Sequence, residues 1–235
     1  MTSAIIVAAG NSRRMGFNKL TAPLLGKPVL RWTLEAFDAC PEVQNIILVA
    51  GEGVREAVAA WSQFPPLSKP LQIVAGGAER YLSVHEGLRH LPERCRVVAV
   101  HDGARPLVRP EQISRCIARA REVGAVACAR QVTETLKRAD FDGIISGSID
   151  REGVWIMETP QVFDRLLLCQ AYERVVREAL PVTDEVSAVQ HLGASVFTLS
   201  NPWPNPKITY PADLPFAETL LQTRAISAAP STATL

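Results

Sequence analysis

Several features that identify other classes of protein are missing from this sequence. The five cysteines are scattered and odd in number, and no two form a C-x-x-C pair, which argues against a disulfide framework or a zinc site. The four histidines lack the H-E-x-x-H spacing of a metal site. No apolar run approaches the ~18 residues of a membrane span, and the first residues lack a signal-peptide pattern. We therefore expect a cytoplasmic protein with reduced thiols and no membrane partner.

The charge balance excludes a further class. With a formal net charge of +1 over 235 residues, nothing indicates a broad surface for nucleic acid. The apolar share of 47% and the charged share of 21% are typical of a soluble globular protein. We expect one domain over residues 1–225 and a disordered Ser/Thr/Ala-rich tail over residues 226–235. Any anion site must therefore be built from a few well-placed cations.

Short apolar runs alternate with helical patterns along most of the chain. The predicted strands are residues 4–8, 46–50, 71–75, 96–101, 125–129 and 194–199. The predicted helices are residues 29–37, 54–61, 80–91, 110–123, 164–180, 184–192 and 211–223. The alternation predicts an α/β fold with a Rossmann-like, mainly parallel twisted sheet and helices on both faces. In such sheets, ligands bind beyond the carboxyl ends of the strands.

The alternation of strand and helix patterns is interrupted between residues 132 and 156. Residues 133–137 alternate at period two, Asp140 and Gly143 indicate a turn, and residues 148–156 have the pattern of a returning strand. Such a hairpin has little apolar content on one face and is marginal by itself. We therefore expect a projecting β-hairpin arm that is buried against another subunit.

Three loops of unusual composition follow predicted strands, at residues 10–19, 76–83 and 102–106. In the first, Ala9 and Gly10 form a turn without bulky side chains, so a phosphate can approach the backbone. Arg13, Arg14 and Lys19 follow, although the spacing is neither that of a P-loop nor G-x-G-x-x-G. The loop therefore either binds a polyphosphate or is an ordinary loop with solvated cations. If it binds one, Arg14 and Lys19 are the pair expected to stabilise charge in a nucleotidyl transfer.

The other two loops also have two interpretations each. Asp102 ends a buried strand, where a carboxylate requires a partner, either a nucleotide-bound Mg²⁺ or the neighbouring Arg105, and both can apply. Ser83 follows a glycine pair and either contacts a nucleoside or belongs to a helix start without a ligand. Residues 183–185, T-D-E, are typical of a helix N-cap.

Seven motifs, in order, resemble those of the 2-C-methyl-D-erythritol 4-phosphate cytidylyltransferase family. They are A-A-G-x-x-R-R-M at 8–15, G-G-x-x-R-x-x-S-V-x-x-G-L at 76–88, H-D-x-A-R-P at 101–106, T-x-K at 135–137, D-R-x-G-x-W-x-x-x-T-P-Q at 150–161, T-D-E at 183–185 and N-x-K-I-T-x-P-x-D-L at 205–214. The resemblance covers roughly residues 4–220. It departs from the family pattern at Ser12, usually glycine, and at Ala78, commonly aspartate.

The resemblance implies transfer of CMP from CTP to methylerythritol phosphate, with release of pyrophosphate, in the non-mevalonate route to isoprenoid precursors. It also implies Mg²⁺ and a homodimer whose arms reach into the partner's site. It makes Arg14 and Lys19 transition-state stabilisers, while Arg151 and Lys207 position the acceptor phosphate. The substrate-binding residues that it implies are Ala8, Ala9, Gly10, Gly77, Ser83, Asp102, Gly103, Arg105, Thr135 and Thr159, with Asp102 also near the metal.

Two other functions remain open at this point. A related cytidylyltransferase that acts on ribitol 5-phosphate shares the three loops, although Arg151 and Trp155 ahead of T-P-Q favour the methylerythritol enzyme. A non-catalytic nucleotide sensor of the same fold is disfavoured because Arg14, Lys19 and Lys207 are all present.

Overall fold

A computed structural model of the chain describes residues 1–10 and 15–228. The strands are, in chain order, β1 (Thr2–Ala8), β2 (Pro23–Leu24), β3 (Lys27–Pro28), β4 (Asn45–Ala50), β5 (Leu71–Ala75), β6 (Val97–Asp102), β7 (Ala125–Gln131), β8 (Leu136–Ala139), β9 (Ile145–Ile149), β10 (Trp155–Asp164) and β11 (Phe197–Ser200). The helices are α1 (Val29–Ala39), α2 (Glu52–Ala59), α3 (Arg80–Arg89), α4 (Pro110–Val123), α5 (Arg165–Glu178), α6 (Glu185–Gln190) and α7 (Asp213–Ala228).

Seven of these strands form the central sheet, in the order β11-β7-β10-β6-β1-β4-β5. Strand β1 pairs in parallel with β4 and β6, β4 with β5, and β7 with β11. Strand β10 runs antiparallel between β6 and β7. The prediction of a mainly parallel α/β sheet is therefore confirmed, and the carboxyl ends of β1, β4, β5 and β6 lie along the same edge.

Both faces of the sheet are covered at its central strands β1, β4 and β6, which explains the apolar runs in these strands. In β4, Ile46 and Leu48 belong to one buried cluster, together with residues of α1 and α4. Ile47 and Val49 belong to the other, with residues of α3, α5 and α6. Successive side chains of a strand point to opposite faces, so each neighbour in the sequence enters a different half of the core.

The sequence analysis missed the short strands β2 and β3 and, in the main sheet, strand β10. The predicted return leg of the hairpin ended at residue 156, but the structure has a separate short strand, β9, and then the ten-residue β10 inside the main sheet. Polar Glu158 and Thr159 and then Pro160 interrupt the apolar pattern. The pairing with β7 shifts register between Met157 and Gln161, which accommodates this interruption.

A separate two-stranded hairpin is present where the arm was predicted. Strands β8 and β9 pair antiparallel, with Leu136 opposite Ile149. At its tip, Phe141, Ile144 and Ile145 expose their apolar side chains. The role of this hairpin in dimerisation stays a prediction.

Helix α7 continues to Ala228, beyond its predicted end at residue 223. The rest of the predicted tail, residues 229–235, lies outside the described residues, so the division into one domain and a tail stays a prediction. In the part of the chain that the structure describes, no helix is both long and apolar enough to cross a membrane.

The turn between β2 and β3 places a leucine in the left-handed backbone region. Leu25 has φ of 48° and an exposed side chain. Asparagine tolerates this region better than leucine does, so we expect Leu25→Asn to raise the free energy of unfolding by about 0.5–1 kcal/mol. Urea denaturation measures the change. Leu25→Ala, which also removes the apolar side chain, serves as the control, and an equal gain in both variants would show that the backbone conformation is not the cause.

Candidate active site

The loops that leave β1, β5 and β6 line one cavity of about 170 Å³ at the carboxyl edge of the sheet. We call it the glycine-loop cavity. Its lining includes Ala8, Ala9, Gly10, Lys19, Gly77, Arg80, Ser83, Asp102, Ala104 and Lys207. Three loops that are distant in the sequence therefore meet at the place where ligands of parallel α/β sheets bind.

Two of these loops touch because one residue has no side chain. A Cβ placed on Gly76 would lie 2.2 Å from the Cβ of Ala9, so glycine is needed for this approach. The Ser83 hydroxyl accepts a hydrogen bond from the Gly77 N–H at 3.1 Å and donates one to the Glu79 carbonyl at 3.1 Å. Ser83 therefore shapes the loop at the start of α3, and its predicted contact with a nucleoside stays a prediction.

Asp102 lies at the centre of a cluster of cations. Its Oδ1 is 3.2 Å from Nη2 of Arg80, and its Oδ2 is 3.0 Å from Nζ of Lys207 and 3.4 Å from Nε of Arg105. The predicted pairing with Arg105 is present, and two further cations join it. Among residues 1–10 and 15–228, no group of three or more histidine, cysteine or acidic side chains is arranged to hold a metal ion. The prediction of Mg²⁺ near Asp102 stays untested.

The cations keep this carboxylate ionised. Burial raises the pKa of Asp102, but the attraction of Arg80, Lys207 and Arg105 outweighs it and holds that pKa well below its usual range. Asp102 is therefore ionised at neutral pH.

A second cavity, of about 300 Å³, adjoins the first. Its lining includes Arg105 and Thr159, and we call it the Thr159 cavity. Arg80, Asp102 and Lys207 line both cavities. The charged cluster thus stands where the two spaces meet, within reach of a ligand in either one.

Arg80 is held from behind by a buried carboxylate. Its Nη1 lies 2.6 Å from Oε1 of Glu185 and its Nη2 lies 3.2 Å from Oε2, while the Tyr172 hydroxyl donates to Oε1 at 3.0 Å. Burial lowers the pKa of Arg80, but Glu185 and then Asp102 raise it well above the usual value. Sequence reasoning assigned no role to Arg80 or Tyr172. For residues 183–185, it predicted only the N-cap, which Asp184 does provide for α6.

The early loop and the late proline-rich segment are joined directly. Nζ of Lys19 donates to the Ile208 carbonyl at 2.7 Å, next to Lys207. On the other side, the Asn205 amide donates to the Thr159 carbonyl at 2.8 Å, and Arg105 donates to the Asn205 carbonyl at 2.8 Å. These contacts fix the backbone on both sides of Lys207. Asn205 is a second residue that the sequence analysis quoted in a motif without giving it a role.

The remaining predicted residues lie elsewhere. Arg14 falls among residues 11–14, outside the described part of the chain. Thr135 and Arg151 are exposed near the base of the hairpin and contribute to neither cavity, and Arg151 donates to the Thr133 carbonyl. The structure therefore brings together the predicted residues of the loops and the late segment, but not those of the hairpin.

Gly103 lies behind the site, against the core. Its N–H donates to the Val7 carbonyl at 2.9 Å, and its carbonyl accepts from the Thr33 hydroxyl at 3.0 Å. The next residue, Ala104, lines the glycine-loop cavity instead. A direct contact between Gly103 and substrate stays a prediction.

Comparison with known proteins agrees with this geometry. A sequence model of the family described as IspD: 2-C-methyl-D-erythritol 4-phosphate cytidylyltransferase matches residues 2–223. The chain belongs to this family. The family was predicted from the motifs, and that prediction is confirmed.

Individual IspD relatives match along nearly their whole length. The 2-C-methyl-D-erythritol 4-phosphate cytidylyltransferase of Synechococcus sp. (strain CC9902) is 40% identical over 222 residues, covering 94% of this chain and 97% of that protein. The protein of the same name from Caldanaerobacter subterraneus is 38% identical over 226 residues, covering 94% and 98%. A crystal structure of 4-diphosphocytidyl-2C-methyl-D-erythritol synthase from Anaerococcus prevotii superposes with a TM-score of 0.83 at 30% identity, covering 94% and 98%.

His101, beneath this IspD site, is a buried neutral imidazole. Its Nδ1 lies 2.9 Å from the Thr159 hydroxyl, which accepts the Asp102 N–H at 3.2 Å, and its Nε2 lies 3.3 Å from the Arg105 carbonyl. A proton on Nε2 satisfies every one of these bonds. Burial lowers the pKa of His101 to about 3, although the charge of Asp102 opposes the shift.

This histidine makes stability depend on pH. Between its ordinary pKa of 6.5 and about 3, the unfolded chain binds a proton at His101 that the folded chain does not. Stability from this residue is therefore complete above pH 6.5 and is lost as the pH falls toward 3, by about 1.4 kcal/mol per pH unit. We expect His101→Gln to flatten the slope of unfolding free energy against pH between 6 and 4. Urea titrations measure it, and identical slopes in both proteins would contradict the assignment.

Proposed function

We propose that this chain transfers CMP from CTP to 2-C-methyl-D-erythritol 4-phosphate and releases pyrophosphate, in isoprenoid precursor biosynthesis. Membership in the IspD family over residues 2–223 supports this activity. The observation that carries it is the pair of adjoining cavities that share Arg80, Asp102 and Lys207. A transferase needs two substrates whose reacting phosphates meet, and this junction provides the place.

The glycine-loop cavity suits the nucleotide and the Thr159 cavity suits the acceptor. Backbone at Ala9, Gly10 and Gly77 is open to close approach by CTP phosphates and base. Arg105 and Lys207, which line the Thr159 cavity, offer donors for the phosphate of the acceptor. Reaction then takes place beside Asp102, between the two cavities.

The chemistry that this arrangement serves is an in-line displacement. An anionic phosphate oxygen of the acceptor attacks the α-phosphorus of CTP and forms the new P–O bond. The bond from the α-phosphorus to the oxygen that bridges to the β-phosphorus breaks, and its electron pair leaves with pyrophosphate. No protein nucleophile is needed, so positioning and charge stabilisation supply the rate. Arg14 and Lys19 would stabilise the leaving charge, while Lys207 would orient the acceptor.

The described residues fit a magnesium ion that arrives with CTP. Asp102 offers a hard oxygen ligand of the kind that Mg²⁺ prefers, but three cations already surround it. One such carboxylate does not make a protein-held metal site, so the phosphates would supply most of the ligands. When bound, Mg²⁺ would neutralise phosphate charge near Asp102.

A homodimer with exchanged arms accounts for the hairpin. Thr135 and Arg151 lie outside the cavities of their own chain, and the apolar tip at Phe141, Ile144 and Ile145 is exposed. Packing against a second subunit would bury the tip and bring Arg151 to the other acceptor cavity.

The free thiols of the five cysteines support a cytoplasmic enzyme.

Substrate assays test the activity and the role of Lys19 together. With CTP and Mg²⁺, we expect pyrophosphate release with methylerythritol phosphate and little with ribitol 5-phosphate. Lys19→Ala should lower kcat about a hundredfold while CTP affinity changes much less, because the charge that it stabilises develops in the transition state. Lys27→Ala is the control, because Lys27 pairs with Glu35 and lines neither cavity, and it should leave kcat unchanged. Near-normal turnover of Lys19→Ala would remove Lys19 from the mechanism, and no release with either acceptor would overturn the proposed function.

Subunit mixing tests the shared site. Lys207→Ala and Arg151→Ala homodimers should both be inactive. In a heterodimer of the two, one site lacks both residues and the other is complete, so a one-to-one mixture should recover about a quarter of normal activity. Native mass spectrometry verifies that heterodimers form, and inactive heterodimers would show that each site is built within one chain.

A further inference from the structure

A fully buried carboxylate lies just behind the charged cluster. Glu185, the first residue of α6, has no exposed surface. Both of its oxygens receive N–H groups of Arg80, and one also receives the Tyr172 hydroxyl. Tyr172 lies on α5 and is equally buried. Glu185 therefore contacts Arg80 but neither cavity.

We propose that Glu185, held by Tyr172, is a positioning residue for the transfer reaction and acts through Arg80. This inference rests on the proposed function. Glu185 sets the orientation of the Arg80 guanidinium in the wall between the nucleotide and acceptor cavities. Arg80 in turn keeps Asp102 aligned opposite Lys207.

The geometry of Arg80 supports this role. Its Nη1 and Nη2 face Glu185, while Nε and Nη2 lie 3.3 and 3.2 Å from Oδ1 of Asp102. A planar guanidinium gripped along two edges by two carboxylates has its plane and its direction fixed. The grip joins α3, α6 and β6, so small movements of these elements do not rotate the side chain freely.

Glu185 also decides which oxygen of Asp102 is available to Lys207. Arg80 contacts Oδ1 of Asp102, and Lys207 contacts Oδ2 at 3.0 Å. Without a negative partner behind it, Arg80 would be drawn toward Asp102 and would compete with Lys207 for the same carboxylate. The cation that orients the acceptor would then lose its fixed position.

Stability alone is a weak reason for such a carboxylate. The desolvation of a buried ion pair offsets most of its attraction, and apolar replacements of similar volume are often at least as stable. Arg80, the residue of this pair that is nearer to the substrates, lines both cavities. We therefore attribute the pair to the orientation that Glu185 imposes on Arg80.

A double-mutant cycle on kcat/KM tests the proposal. In the otherwise unchanged enzyme, we expect Glu185→Gln to lower kcat/KM for the acceptor ten- to about a hundredfold, since small misplacements of positioning groups have effects of this size. Arg80→Lys cannot bridge two carboxylates, so in that background Glu185→Gln should change kcat/KM less than about threefold. Equal losses in both backgrounds would overturn the proposal, because Glu185 would then not act through Arg80.

Three further measurements keep the outcome interpretable. Tyr172→Phe removes only the hydroxyl that binds Glu185. It should lower kcat/KM by a smaller factor than Glu185→Gln does, and this loss should likewise shrink in the Arg80→Lys background. If Glu185→Gln does not fold, Tyr172→Phe takes its place in the cycle. Glu35→Gln removes a carboxylate that binds Arg31 and Lys27 away from both cavities, and it should leave kcat/KM unchanged. Unmodified enzyme that releases no pyrophosphate would refute the proposed function, whereas an active enzyme with an additive cycle would refute this inference alone.

Discussion

The site depends on the buried carboxylate of Asp102, because its negative charge offsets the repulsion among three neighbouring cations. Arg80, Arg105 and Lys207 come from a helix start, a strand-end loop and a proline-rich segment, and all three reach Asp102. Their mutual repulsion in a partly desolvated place would otherwise drive them apart. Asp102 offsets this repulsion with its negative charge. The three cations are therefore positioned by contacts within the protein, which is the condition for electrostatic catalysis without large rearrangement.

The fold supplies this arrangement through the ends of its parallel strands. Strands β1, β5 and β6 end on one edge, so Gly10, residues 76–83 and residues 102–106 become neighbours. Strand β10 then brings Thr159 beside Asp102 from the opposite direction. Thr159 is in the middle of the ten-residue strand β10 and not in a loop that follows a strand. Thr159 consequently stands on a rigid element between His101 and Asn205.

Sequence patterns predicted the parts of this structure that depend on local signals. Apolar runs such as that of β4 and the helical spacing of α1 and α4 follow from side-chain periodicity, and the structure has these elements close to the predicted bounds. Strand β10 was missed because Pro160 and its polar neighbours break the period, and only pairing with β6 and β7 compensates. The Arg80–Glu185 pair joins residues 105 positions apart, and no local pattern indicates such a contact. The motifs contained both residues without showing what they do.

The same reasoning explains why the hairpin stands apart from the cavities of its own chain. The loops and the late segment provide cations on one side of the junction, and they are fixed there by backbone contacts such as that of Lys19 with Ile208. In the described part of the chain, Arg151 and Thr135, which were also predicted near the acceptor phosphate, line neither cavity. Arg151 and Thr135 are exposed beside a hairpin with an apolar tip, which is the arrangement that the proposed exchange of arms requires. In the homodimer that we propose, association would close the site and exclude water from the junction only when both subunits are in place. The charge chemistry at Asp102 would then depend on assembly of that dimer.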